Sequence, residues 1–137
     1  MEVKKDEKCI YCCGKCGLIL ETLQSGIGIP LCCGAEMEIA GENVSDGKVE
    51  KHVPVIRRYG DICQVLVGEE PHPMTEEHHI VWIEIHFNNK IFRHHLKHDE
   101  RPEAEFCGVP PEAAVTARIY CNLHGVWCSE KKCTNCK

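Results

Sequence analysis

The stretch Ile80-Val81-Trp82-Ile83-Glu84-Ile85-His86-Phe87 decides the fold class. Val81, Ile83, Ile85 and Phe87 recur at every second position, so they share one face of an extended chain, while Glu84 and His86 take the other. The pattern predicts a strand buried on one side. Further β-rich runs at residues 49–56, 62–67, 91–96 and 115–120 are separated by turn-like pieces such as Tyr59-Gly60-Asp61, Asn88-Asn89-Lys90 and Pro110-Pro111. No segment carries a sustained helical period. The expectation is a mainly β chain whose larger part is an antiparallel sandwich.

The chain has 137 residues, 12 of them cysteine and 9 histidine. That length admits one ordinary domain, or a very small domain joined to a larger one. Residues 1–40 carry most of the early cysteines and are too few to fold on an apolar core alone. Residues 41–48 are polar, glycine-bearing and free of large hydrophobes, which marks a linker. Residues 49–137 are read as the sandwich domain with a cysteine-bearing C-terminal tail. Mixed charge at residues 1–8, with no apolar stretch behind it, predicts no secretory signal and hence a cytoplasmic protein with reduced or metal-bound thiols. No apolar run approaches the ~18 residues that span a bilayer. Sixteen Lys and Arg against 21 Asp and Glu leave a net charge of −5 with no basic block, which argues against nucleic acid or an anionic membrane as a partner.

Cys13-Gly14-Lys15-Cys16 is followed, after residues 17–31, by the adjacent pair Cys32-Cys33 and then Gly34. A Cys-x2-Cys turn presents two sulfurs to one metal. Neighbouring side chains in an extended chain point to opposite sides, so Cys32 and Cys33 reach one ion only if the backbone bends sharply, which a following glycine permits. Four sulfurs suit iron and zinc alike. Cys9-Ile10-Tyr11-Cys12 is a second Cys-x2-Cys and a rival first pair. Residues 8–40, with Cys32-Cys33-Gly34-Ala35-Glu36-Met37, resemble desulforedoxin, a rubredoxin-like iron domain. The resemblance implies an iron–tetrathiolate site of Cys13, Cys16, Cys32 and Cys33.

In the rest of the chain, His52, His72, His78, Cys121 and His124 stand at strand ends or in loops, where side chains from distant segments converge. Pro71 and Pro73 restrict the backbone on either side of His72. Residues 48–127 resemble the catalytic domain of desulfoferrodoxin, the two-iron superoxide reductases, through Glu50-Lys51-His52-Val53-Pro54, Pro71-His72-Pro73-Met74, Trp82-Ile83-Glu84 and Tyr120-Cys121-Asn122-Leu123-His124-Gly125. What this implies is an iron with equatorial imidazoles from His52, His72, His78 and His124 and an axial Cys121 thiolate. His79 is a rival to His78, which fits the family spacing to Trp82. Five ligands leave one octahedral position for a small anion. The implied reaction is one-electron reduction of superoxide to hydrogen peroxide, with Lys51 guiding the anion, Glu50 approaching the oxidised iron, and a rubredoxin-like protein as electron donor. The family further implies an immunoglobulin-like sandwich of seven strands and a homodimer. The competing readings are a rubredoxin-like electron carrier and a structural zinc module.

His94, His95 and His98 read as a solvated strand and turn, and Cys63 and Cys107 as inert core thiols. Cys128, Cys133 and Cys136 lie beyond the family pattern, as a frayed tail or with the Cys133-Thr134-Asn135-Cys136 pair joining Cys9 and Cys12 in an extra zinc or redox site.

Overall fold

A computed structural model describes residues 9–24, 26–40, 42–43, 52–68 and 72–129. These fall into two compact units, residues 9–40 and residues 42–129. Among them there is no α-helix, and no helix long and apolar enough to cross a membrane.

The smaller unit is a three-stranded antiparallel sheet ordered β2 (Ile19–Glu21), β1 (Ile10–Cys12) and β5 (Glu38–Ile39), with a hairpin of β3 (Leu31–Cys32) and β4 (Ala35–Glu36). Its buried apolar side chains are Cys9, Ile10, Cys13 and Met37, whereas Leu23, Ile27 and Leu31 stand in solvent. So small a core favours stabilisation by cross-links.

The larger unit pairs two sheets. One runs β10 (Lys90–His95), β9 (Ile80–Phe87), β12 (Thr116–Cys121), β13 (Gly125–Cys128) and β6 (Glu42–Asn43), antiparallel except for the parallel β13–β6 contact. The other runs β11 (Glu103–Phe106), β8 (Ile62–Val67) and β7 (Pro54–Tyr59). Strict alternation in β8 buries Cys63, Val65 and Val67, which meet Ile83, Ile85 and Ile119 of the facing sheet in one core. The seven strands β7–β13 form the expected immunoglobulin-like sandwich, and β6 adds an eighth within residues read as a linker. Asn88 and Asn89, at φ of 46° and 59°, close the β9–β10 hairpin in the left-handed conformation its twist favours.

Four expectations need correction. Val81 does not share the core face, because the β9–β12 register passes from Trp82↔Tyr120 to Ile80↔Cys121 and skips it. This bulge reverses the alternation of β9, so Ile80 turns into the core beside Cys121, which keeps the parity of Ala117 and Ile119. The opposite face of β9 is no solvent face, since Glu84 is fully buried. Cys107 is exposed, for β11 ends at Phe106 and alternation sends the next side chain outward. Cys128 is a buried residue of β13 paired with Arg118 and not part of a frayed tail. Cys133 and Cys136 lie outside the described residues.

Candidate metal centres

In the smaller unit the sulfurs of Cys13, Cys16, Cys32 and Cys33 lie within 4.8 Å of one another. The first pair sits in a tight turn closed by Gly17 N–H to the Cys13 carbonyl at 3.0 Å. The second pair is brought round by the β3–β4 hairpin, whose two turn residues, Cys33 and Gly34, both have positive φ, 53° and 76°. The predicted sharp bend is thus a two-residue turn with left-handed geometry at both positions. Cys16 Sγ is 3.5 Å from Cys32 Sγ, and Cys32 Sγ is 3.8 Å from Cys33 Sγ. Backbone amides of Cys16 and Lys15 lower Cys13 to about 6, while hydrogen bonding with Cys16 and Cys13 pushes Cys32 up to about 12. Thiolates this close repel one another, and a cation among them removes the conflict. Cys12 stays outside the group and Cys9 is disulfide-bonded, so neither takes part, and the expectation of reduced or metal-bound thiols does not hold at Cys9.

In the larger unit His52, His72, His78, Cys121 and His124 bring their ligand atoms within 4.8 Å of one another. The four rings close a circuit. Ring centroids are 4.6 Å apart for His52–His72, 4.6 Å for His72–His78, 4.9 Å for His78–His124 and 4.7 Å for His124–His52, each pair near edge-on. The His52–His78 separation is longer, 6.2 Å. Four near-equal sides and a longer diagonal describe a square of imidazoles. His52 Nε2 lies 3.0 Å from His124 Nδ1, which is itself 3.6 Å from Cys121 Sγ.

Local structure selects the donor atoms. His72 Nδ1 lies 2.7 Å from the Pro73 carbonyl, an arrangement in which Nδ1–H donates and Nε2 keeps its lone pair. That Nε2 is buried without a hydrogen-bond partner among the described residues, as a metal-facing nitrogen would be before metal enters. Burial, reinforced by the three neighbouring imidazoles, lowers His72 to about 4 and keeps it in the neutral, ligating form. Burial raises the Cys121 thiol, while the amides of Leu123 and His124, hydrogen-bonded to it, act in the opposite sense. A cation beside the sulfur would complete the conversion to thiolate. Imidazole nitrogens and one sulfur, with no carboxylate in the group among the described residues, suit a borderline transition metal better than magnesium or calcium.

A family model described as desulfoferrodoxin matches residues 44–130. The chain belongs to the desulfoferrodoxin family. A desulfoferrodoxin from Syntrophotalea carbinolica is 46% identical over 121 residues, covering 88% of this chain and 94% of the relative. A superoxide reductase from Pyrococcus horikoshii is 40% identical over 102 residues, covering 62% of this chain and 89% of its own. The crystal structure of the superoxide reductase from Treponema pallidum superposes with a TM-score of 0.74 at 27% identity, covering 90% of this chain and 98% of that one.

All nine cysteine and histidine ligands named from the sequence therefore fall into two groups, the four-thiol cluster and the His/Cys cluster. His79 falls outside them: its Nδ1 sits 2.9 Å from the Thr75 carbonyl and its ring faces His98 at 6.2 Å. His94 and His95 are exposed, as expected of a solvated strand. Lys51 and Glu50 lie outside the described residues. Two supporting residues of this chain carry no mark in the sequence. Asn122 accepts the His79 amide at 2.9 Å and donates to the Glu77 carbonyl at 2.9 Å, tying the Cys121–His124 turn to the segment carrying His78. Trp127 stacks on His52, centroids 4.9 Å apart and planes 17° off parallel. The Asn122 bonds span 43 and 45 positions and the Trp127–His52 stack joins distant segments, so no spacing signal marks these contacts.

Proposed function

We propose that this desulfoferrodoxin-family chain is a superoxide reductase, converting superoxide, one electron and two protons to hydrogen peroxide at a centre built from His52, His72, His78, His124 and Cys121. The square of imidazoles with a fifth, sulfur donor carries this reading. These five residues would hold an iron, which when bound would supply the electron to superoxide, and the Cys121 thiolate would raise its electron density. Against the two positive charges of a ferrous ion, four neutral ligating imidazoles and one Cys121 thiolate would leave the centre locally positive on an acidic chain and attractive to an anion.

Lys51 and Glu50 precede His52 directly in sequence. Lys51 is assigned to steer superoxide and to order the water that delivers a proton, and Glu50 to approach the centre after product leaves. Cys13, Cys16, Cys32 and Cys33 are assigned to a second iron, with residues 1–40 as its domain. A rubredoxin-like donor, a cytoplasmic setting and a homodimer complete the proposal, the last supported by the exposed Leu23, Ile27 and Leu31.

The test is anaerobic reconstitution with ferrous iron, metal analysis, and stopped-flow mixing with superoxide while reductant and oxygen are followed. Two irons per chain and reductant consumption without oxygen release are expected. Zinc alone, or a tetrathiolate spectrum without a second iron, overturns the proposal in favour of a structural or electron-carrying module. Oxygen release would indicate dismutation.

A further inference from the structure

Trp127 enters β13 three residues after His124 and is held in register opposite Ile119 of β12. It is buried at 6% exposure. Its indole face lies against His52 at 4.9 Å and 17°, and its Nε1–H donates to the His124 carbonyl at 3.1 Å. His52 and His124 are far apart in sequence yet form one side of the imidazole square. One side chain therefore touches two adjacent corners.

Each contact controls a freedom that matters to a ligand. The torsion that turns an imidazole about its Cβ–Cγ bond is broad, and a stacked indole restricts it, fixing where His52 Nε2 points. His124 presents Nδ1, the ring nitrogen nearer the backbone, so where that atom sits depends on where the residue 122–124 turn is anchored. The indole N–H fixes the His124 carbonyl to a strand of the sandwich. We propose that Trp127 is a positioning residue of the His/Cys centre, setting the plane of His52 and the place of His124 Nδ1 before metal enters. The inference rests on the reading of these five residues as an iron site and deepens it.

The test uses the full chain, reconstituted anaerobically with ferrous iron, as wild type, Trp127→Phe, Trp127→Leu and Phe106→Leu. Phe106 is a comparably buried core residue on β11, its ring centroid 6.4 Å from that of Phe92 and its backbone opposite Cys63, so it reports general loss of stability. Iron affinity by chelator competition and the visible spectrum of the oxidised protein are read without superoxide. Trp127→Leu should weaken iron binding at the His/Cys centre by about 10–100-fold and displace its absorption, with the four-cysteine iron unchanged. Trp127→Phe, which keeps a stacking ring but loses the N–H, should recover part of the affinity. Phe106→Leu should leave affinity and spectrum at wild-type values. Wild-type affinity and spectrum in Trp127→Leu would overturn the inference, as would an equal loss in Phe106→Leu. Failure of the wild type itself to take a second iron would overturn the metal-centre reading and this role together.

Discussion

Glu84 and Arg118 face each other across the β9–β12 pair, both closed to solvent, with Arg118 Nε donating to Glu84 Oε1 at 2.5 Å. Arg93 adds a bond to Oε2 at 2.6 Å and His86 one to Oε1 at 2.8 Å, and both guanidinium groups lie over the Trp82 ring. Burial alone would raise the Glu84 carboxyl, but His86, Arg118 and Arg93 outweigh it and hold it at about 2, against an ordinary 4.5. A carboxyl depressed on folding stabilises fully above its unfolded value and loses that stabilisation as pH falls towards its folded one. Glu84→Gln leaves Arg118 buried without its counter-charge and should cost about 3–5 kcal/mol at neutral pH. Urea unfolding of both proteins should show the difference shrinking as pH drops from about 4.5 to about 2. A difference constant across that range would mean the carboxylate charge is not its source.

Asn122 bridges the two segments that carry His78 on one side and Cys121 and His124 on the other. Asn122→Ala removes both side-chain bonds and leaves only the backbone Asn122 N–H to His79 carbonyl bond, 3.2 Å, between the two segments, which loosens one against the other. Iron affinity of the His/Cys centre should drop by about 10–100-fold, as for other residues that orient ligands. Metal-free stability should fall by only about 1–3 kcal/mol. Chelator competition beside denaturant unfolding checks both values, and unchanged affinity would show that the turn holds its place without this clasp.

His78 and His79 are neighbours with opposite placements, one in the imidazole square and one turned to Thr75 and His98. His78→Ala should abolish iron at the five-residue centre while keeping iron at the four cysteines. His79→Ala should keep both irons. Metal content and visible spectra of the two variants decide the matter, and the reverse pattern would reassign the ligand.

What sequence could reveal here was whatever is encoded locally. β8 and β9 matched the expected residues 62–67 and 80–87 because their alternation is carried within one strand. The Cys32-Cys33-Gly34 turn was legible because adjacency itself forces the bend. β11 was missed, since Glu103-Ala104-Glu105-Phe106 has no β-branched residue and owes its pairing to β8. β13 opens on a glycine and was missed likewise. The burial of Glu84 depends on arginines from two other strands, and the Val81 bulge on a register shift with β12. The resemblance placed the ligands, but the residues that orient them, Asn122 and Trp127, are defined by contacts between segments.

Gly34 sits at φ 76° with open space where a Cβ would project, so substitution there meets a backbone cost and no clash. Gly34→Ala should cost about 1–2 kcal/mol, the usual penalty of left-handed geometry for a side chain, and Gly34→Asn less. Because the turn aims Cys33, the cost should appear as faster loss of metal from the four-cysteine site under chelator, with the His/Cys centre unaffected. Equal release rates for glycine, alanine and asparagine would separate the turn geometry from metal retention.

Superoxide approaching this chain meets a net charge of −5, so its attraction must be local. Lys51, adjacent to His52 in sequence, is the proposed source of that attraction beyond the metal centre. A charge acts on a diffusing anion over about a Debye length, roughly 10 Å at 0.1 M salt, and its effect is screened as salt rises. Lys51→Ala should therefore slow the second-order reaction by about tenfold at low salt and flatten its ionic-strength dependence. Lys51→Arg should restore much of the rate, since the charge is kept. Stopped-flow rates across a salt series check this. A Lys51→Ala rate equal to wild type at low salt would remove the residue from the reaction, whereas a slowed rate with an unchanged salt slope would point to proton delivery instead of steering.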